Sequence, residues 1–446
     1  MLIYLTLHHI YNRLKNMRKI EYKNRIADGI LNDYLEAMGA VLIVGPKWCG
    51  KTTTAEQAAN SVVYLSDTSY QQQDLMAINI SPHMVLEGDT PRLIDEWQEA
   101  PRIWDAVRHA VDHRNESGQF ILTGSAVPNE EKLKEIHHTG TGRIGRLAMR
   151  PMSLWESGDS TGQVSISELF DGHTNIACMV PEKTLEQIGF LMCRGGWPES
   201  LKKKTEKAAL LVAKEYFKAV VEHDISRVDG VLKNPERVKR LMRSYARLQG
   251  SQSSYSTISD DISQNESMSL SVDTVAQYIN ALKSIFVIED SLAWNPNLRS
   301  KSAIRSSDTR YFVDPSITAA SLDVGPKDFV NDLNTMGFVF ESMAVRDLRC
   351  YADANEGTVY HYRDSSNLEC DVVIHIAGGR YGLIEVKLGG DALINEGAKN
   401  LIALANKINT TKMKEPSFLM VLTAVGPCAY RRPDGVLVVP ITCLKD

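Results

Sequence analysis

The sequence predicts an α/β fold: a parallel sheet first, a helix-rich middle, and a second α/β segment at the end. Three observations carry that reading. An apolar run, Ala40 to Val44, leads directly into a glycine-rich loop and a helix-forming stretch. Short apolar runs then alternate with helical ones up to about residue 150. Near Asn331 a helix followed by several strands opens a second pattern of the same kind.

The elements follow in order. Residues 17–39 read as helical, with Ile26, Ile30, Leu31 and Leu35 at helical spacing. Strands are expected at Ala40 to Val44, Val62 to Leu65, Arg92 to Ile94 and Gln119 to Leu122, with a helix from Arg102 to Asn115. Such alternation implies a parallel sheet covered on both faces. Ser160 to Thr184 looks irregular. Leu185 to Gly250 is helix-rich and is broken at Gly195-Gly196-Trp197-Pro198. The polar stretch Gln249 to Asn265 reads as a mobile loop or the start of a small helical unit. Val272 to Ser284 repeats apolar residues at helical spacing, and strand-like Phe286 to Ile288 and Tyr311 to Val313 follow. In the last segment, the helix Gly337 to Tyr351 precedes strands at Val359 to Tyr362, Cys370 to Ile376 and Tyr381 to Val386. Helix Asp391 to Lys407 and strand Ser417 to Leu422 complete it. The expected divisions are an N-terminal extension at 1–20 and domains at 21–158, 159–325 and 326–446.

Composition narrows the class. A chain of 446 residues suggests about three domains. A formal net charge of −5 gives the whole chain no polycationic character, so a nucleic-acid surface would be a local patch. No apolar run approaches the roughly 18–20 residues that cross a bilayer, so no membrane role is expected. Met1 to Leu7 is apolar but has no basic region before it and makes a poor signal peptide. Met17 is a hypothetical alternative start, which a peptide from residues 2–13 of the native protein would reject. Seven cysteines without a C-x-x-C pair argue against a disulfide framework or a structural zinc site, and for a reducing cytoplasm.

The chemistry begins at Gly45-Pro46-Lys47-Trp48-Cys49-Gly50-Lys51-Thr52, which fits G-x-x-x-x-G-K-[ST] at every fixed position. Strand, glycine-rich loop and helix N-terminus make an anion site, continued by Thr53. Glycines let backbone N–H groups approach phosphates, Lys51 reaches the outer ones, and the Thr52 hydroxyl suits Mg²⁺. ATP and Mg²⁺ are therefore the expected ligands. Cys49 reads as a small filler in the loop rather than a catalytic thiol. Leu93-Ile94-Asp95-Glu96 supplies the acidic strand such a loop needs. Asp95 is expected to hold the metal, and Glu96 to orient or deprotonate the attacking water. The strand Phe120-Ile121-Leu122 ends in Thr123-Gly124-Ser125, where Thr123 and Ser125 are both candidates to sense the γ-phosphate. Arg143 is the first choice among Arg143, Arg146 and Arg150 for a guanidinium on that phosphate, within the chain or across a homo-oligomer.

The chain resembles the prokaryotic AAA-type ATPases whose C-terminal half is a domain of unknown function. The loop, Leu93 to Gln98, Leu122 to Ser125, Arg150-Pro151-Met152-Ser153-Leu154, Gly195 to Pro198 and His223-Asp224-Ile225 carry that resemblance. It implies an AAA-like P-loop NTPase sheet, a helical and winged-helix-like middle, and a nuclease-like end.

Residues 265–313 fit a winged helix, with Ser271-Val272-Asp273 capping a helix to Ser284 and two strands as the wing. Gln277, Asn280 and Lys283 lie on the polar side of that helix; its lysine, with Arg299, Lys301, Arg305 and Arg310 behind it, is a candidate to meet DNA phosphates, the other reading being a winged helix that packs on protein. Farther on, Asp371, Glu385 and Lys387 have the spacing D-x₁₃-E-x-K on two expected strands. Residues 385 and 387 share a strand face, and a neighbouring strand would bring Asp371 to them. Two carboxylates suit Mg²⁺, and the lysine suits activation of water against a phosphodiester. Glu341, on the preceding helix, would add a carboxylate. The arrangement resembles the restriction-endonuclease-like superfamily, with Cys370 in place of the proline that usually precedes the strand Asp. His361 and His375 read as ordinary strand residues.

Overall fold

The computed structural model describes residues 22–128, 133–228, 233–266, 268–296, 307–408, 410–411 and 413–446. The N-terminal extension and Met17 lie outside the described residues. The chain forms two compact units. The first holds the described residues through Arg150, with 227–228 and Ser284–Phe286; the second holds the rest. The stretches 159–325 and 326–446, expected as separate domains, thus fall almost wholly in one unit.

In the first unit, helix α1 (Ile26–Ala37) precedes β1 (Ala40–Val44), and α2 (Lys51–Ala58) follows the glycine-rich loop. Then come β2 (Ser61–Tyr64), α3 (Gln71–Ile80), β3 (Arg92–Asp95), α4 (Ile103–Arg114), β4 (Phe120–Gly124) and β5 (Ile144–Ala148). The sheet is parallel throughout, in the order β2-β3-β4-β1-β5. Both faces of β1 are covered, which is why its residues are apolar without alternation. Val41 and Ile43 pack with α1 and α2, whereas Leu42 packs on the opposite face with α4. Since all five strands run the same way, the C-terminal ends of β1, β3 and β4 lie along one edge. Ligands of open α/β sheets bind at such an edge.

The second unit opens with short elements, among them β6 (Val164–Ser165), and continues through helices α5 (Leu185–Arg194), α6 (Glu206–Ala219), α7 (Pro235–Arg247), α8 (Tyr255–Asn265) and α9 (Val272–Ser284). Their starts are capped: Asn234 accepts from the Arg237 N–H at 3.3 Å, Ser254 from Thr257 at 3.0 Å and Ser271 from Thr274 at 3.2 Å. The polar stretch after Gln249 is therefore mostly the helix α8, because Ile258 and Ile262 supply a buried stripe. The expected wing strands do not form as strands. Only single antiparallel bridges join Ile288 to Phe312 and Ser291 to Thr309. Phe286, at φ 58°, takes the left-handed conformation and interrupts the extended backbone where the first strand would begin.

A long helix, α10 (Leu333–Asp353), then leads to β9 (Thr358–Arg363), β10 (Glu369–Ile376), β11 (Arg380–Lys387), α11 (Asp391–Lys407) and β12 (Phe418–Thr423). These strands belong to an eight-stranded mixed sheet. Its β7 (Ala177–Met179) pairs with Cys428–Arg431, and its β8 (Leu292–Ala293) pairs with β9. The irregular stretch 160–184 thus supplies a strand to the C-terminal sheet, through pairing too short and too distant in sequence for local patterning to show.

The motifs that have no evident chemistry meet in the core of this unit. Arg346 and Asp347 of α10 are fully buried. Arg346 pairs with Asp314 at 3.0 Å and with Asp347 at 2.6 Å. The other oxygen of Asp347 accepts the Leu154 N–H at 3.0 Å, while Asp314 accepts the Gly196 N–H at 2.9 Å. Met152 and Gly196 share a backbone bond of 2.7 Å. Pro151 to Leu154 and Gly195 to Pro198 are therefore parts of one buried hydrogen-bonded junction.

Candidate functional site

The glycine-rich loop is shaped by its neighbours. Gly50, at φ 105°, turns the chain into α2. A Cβ on Gly45 would stand 2.0 Å from the Met149 carbonyl oxygen, so only glycine fits there. Cys49 is fully buried, with its Sγ 3.5 Å from the same carbonyl. Lys51 is also buried, and its Nζ donates to the Gly45 and Pro46 carbonyls at 2.9 and 2.8 Å. Arg25, which the sequence reading missed, braces the loop by donating to the Cys49 and Arg150 carbonyls at 2.8 Å each. No spacing rule marks Arg25, because its partners are backbone oxygens.

Two carboxylates end β3 and start the next turn. Asp95 Oδ1 accepts from the Thr52 hydroxyl at 2.7 Å and from the Thr123 hydroxyl at 2.6 Å. Burial raises the Asp95 carboxyl above its ordinary value, against the two hydroxyl bonds that pull it down. Glu96 takes a left-handed φ of 57°, which turns it away from the strand. Its Oε2 accepts from Ser125 at 2.8 Å and from the Gln98 amide. Its backbone N–H donates to Thr123 at 3.1 Å. The two strand-end candidates thus divide their work: Thr123 holds Asp95, and Ser125 holds Glu96. Gln98 was missed as a partner of Glu96, although it stands in the same acidic run.

A hydroxyl and a carboxylate oxygen in direct contact, beside a buried lysine and a glycine loop, match the oxygen-donor set of Mg²⁺ with nucleotide. The chemistry of Thr52 and Asp95 therefore fits that ion.

Arg143 does not join this group. Its carbonyl accepts from the N–H of Ala40, the first residue of β1, at 3.1 Å, whereas the loop follows the last residue. At about 3.3 Å per residue the strand separates them by roughly 15 Å. Its guanidinium pairs with Asp112 at 2.8 Å. A catalytic role for Arg143 would have to be played towards a second copy of the chain.

The C-terminal residues do gather. Glu341 of α10, Asp371 of β10 and Lys387 of β11 line one cavity of about 600 Å³. Lys387 pairs with Glu385 at 2.8 Å and stands 3.9 Å from Asp371. Asp371 also accepts the Val386 N–H at 2.8 Å, and Glu341 accepts from the buried Tyr311 hydroxyl. Burial, then the neighbouring carboxylates, push Glu341 well above the ordinary range and Glu385 up to about 8, despite Lys387. Glu385 Oε1 is buried with no hydrogen-bond partner. Among the described residues, however, no three His, Cys, Asp or Glu side chains are placed to hold a metal ion together. The metal set Glu341, Asp371 and Glu385 is therefore not assembled. Its orphan oxygen is the one feature that fits a cation there.

The expected DNA-facing cations divide differently. Arg299, Lys301 and Arg305 lie outside the described residues. Arg310 and Lys283 both pair with Asp290, each at 2.7 Å, so these two charges are already engaged. His361 is buried, with Nε2 3.0 Å from the Ser307 carbonyl, and it lines the C-terminal cavity.

Family models cover most of the chain. Residues 38–157 match the AAA domain family, and residues 185–328 and 336–444 match two domains of unknown function, DUF8612 and DUF4143. An AAA domain thus occupies residues 38–157, and a domain of unknown function forms the C-terminal part. Uncharacterized proteins of Mycobacterium bovis and Mycobacterium tuberculosis are each 21% identical over 366 residues, covering 82% of this chain and 74% of theirs. Among solved structures, a Walker-type ATPase of Pyrococcus abyssi is similar at 14% identity and a TM-score of 0.42, over 69% of this chain and 99% of its own. The ORC2 protein of Aeropyrum pernix is similar at 11% identity and a TM-score of 0.31, over 72% of this chain and 97% of its own. Among the described residues no helix is long and apolar enough to cross a membrane.

Proposed function

We propose that the first unit binds ATP with Mg²⁺ and hydrolyses it, and that turnover drives a conformational change acting on DNA. The observation that carries this reading is the pairing of Asp95 with Thr52 and of Glu96 with Ser125 beside the Lys51 loop. Lys51 exchanges its two carbonyl partners for phosphate oxygens, a charge-assisted gain at small geometric cost. Thr52 and Asp95 would hold Mg²⁺, which when bound neutralises charge on the phosphates. Glu96, oriented by Ser125 and Gln98, accepts a proton from the attacking water or aligns it. Thr123 keeps the two acidic residues in register by touching both. The cytoplasm is the proposed compartment, in keeping with described cysteines that are all free.

A second reading is favoured by the orphan oxygen of Glu385. In it the C-terminal cavity is a metal-dependent nuclease site gated by nucleotide, in which Glu341, Asp371 and Glu385 would have to draw together around a cation and Lys387 would act on water. A third, a nucleotide-gated regulatory protein with slow turnover, predicts a low rate that DNA leaves unchanged. ATPase rate with and without single- and double-stranded DNA, with cleavage products run from the same tubes, tests all three. DNA-stimulated phosphate release supports the first. Divalent-dependent cleavage lost in Lys387→Ala supports the second. No ATP turnover under any condition defeats the first.

A further inference from the structure

A second cavity lies in the first unit, on the sheet face away from α2. Its volume is about 340 Å³, within the usual range for small-molecule sites. Leu42 and Val44 of β1 form its floor, with Trp97, Trp104 and Ile136 around it. The two indole rings lie 4.9 Å apart between centroids. Both are packed in the core of the first unit, which fixes their positions beside the space.

One arginine stands in this mainly apolar lining, whose polar rim is His137, His138 and Thr139. Arg146 projects from β5 and is exposed, and its guanidinium lies 5.6 Å from the centre of the Trp104 ring. Among the described residues it has that ring contact and no hydrogen bond or ion pair. Every other arginine of the first unit with a described role has a carboxylate or carbonyl partner: Arg25 with the loop, Arg92 with Val85 and Ser61, Arg108 and Arg143 with Asp112. An unpaired guanidinium stacked on an indole keeps its N–H edge free for a carboxylate while its face stays on the ring.

We propose that this cavity binds a small apolar carboxylate, its hydrophobic body against Leu42, Val44 and the edges of the tryptophan pair and its anion on Arg146. Charge complementarity selects a monoanion over a neutral molecule, and one arginine, with His137 and His138 as the other basic side chains of the lining, argues against a polyphosphate. The site is separate from the phosphate loop, which packs with α2 on the other face. It still shares a wall with the acidic turn: Trp97 follows Glu96, and its indole packs so closely on Gly124 that a Cβ there would stand 2.9 Å from Nε1. A bound molecule would therefore press on the turn that carries Glu96.

The test uses the full chain, calorimetry, and 2-naphthoate against its neutral isostere 2-naphthamide as probes. Wild type is expected to bind one naphthoate per chain, about tenfold more tightly than the amide, as one charge-assisted bond implies. Arg146→Gln, an exposed substitution, should bring the two affinities together. Thr139→Trp, which fills the cavity from its exposed rim, should abolish both. Equal affinities in wild type, an undiminished preference in Arg146→Gln, retained binding in Thr139→Trp, or no saturable binding would each overturn the proposal.

Discussion

Thr123 donates its hydroxyl to Asp95 at 2.6 Å and accepts the backbone N–H of Glu96 at 3.1 Å. One side chain on β4 therefore fixes both acidic residues at the end of β3. Parallel pairing of the two strands, with Ile94 beside Leu122, makes this possible. The relationship separates the roles of two strand-end hydroxyls that look interchangeable in sequence.

Thr123→Ala and Ser125→Ala should accordingly differ. Thr123→Ala loosens Asp95 and is expected to raise the Mg²⁺ concentration needed for half-maximal turnover several-fold. Ser125→Ala loosens Glu96 and should lower kcat by about tenfold or more with nucleotide affinity kept. Magnesium titrations of both variants check this; identical effects would contradict the division.

Gly196 should tolerate no side chain. A Cβ would stand 2.1 Å from the Met152 carbonyl oxygen, while the Gly196 N–H is held by Asp314 and the Met152 N–H donates to the Gly196 carbonyl. Gly196→Ala is expected to cost about 2–4 kcal/mol. Thermal denaturation would show a clear fall in Tm, and an unchanged Tm would argue that the junction yields.

Arg143→Ala should leave nucleotide affinity within about twofold of wild type, because an exposed ion pair with Asp112 contributes little. Equilibrium titration with a fluorescent ATP analogue measures it. A loss of tenfold would mean that a second copy of the chain delivers this arginine to the site.

Glu385 links stability to pH. Burial pushes its carboxyl from 4.5 up to about 8, so the folded chain holds this proton more tightly than the unfolded one. That stabilisation is complete below the unfolded value and is lost as pH rises through about 8. Without divalent ions, Tm should fall across this window, and Glu385→Gln should flatten the fall. Divalent binding at the site should correspondingly tighten with rising pH. Parallel Tm profiles for wild type and Glu385→Gln would contradict the assignment.

The first site was legible because its signal is local. Strand, loop and helix are contiguous from Ala40 to Ala58, and the acidic pair closes a strand of matching polarity. The distance of Arg143 from the loop within one chain was not legible because it depends on strand direction: Arg143 enters β5 at the end of the sheet opposite the loop. Arg25 left no signal, since it binds backbone oxygens far along the chain. Asp371, Glu385 and Lys387 were found by their strand spacing, yet the contacts of the group depend on the Tyr311 hydroxyl and the Lys387 ammonium as much as on the carboxylates. The recruitment of Ala177–Met179 into the last sheet rests on three residues of pairing, too few for a periodic pattern.

The most direct test of the central claim is phosphate release, measured beside nucleotide binding, for wild type, Lys51→Ala and Glu96→Gln. Wild type should turn over ATP with Mg²⁺, Lys51→Ala should lose binding, and Glu96→Gln should bind ATP while turnover falls by about a hundredfold or more. Normal turnover in both variants would contradict the account.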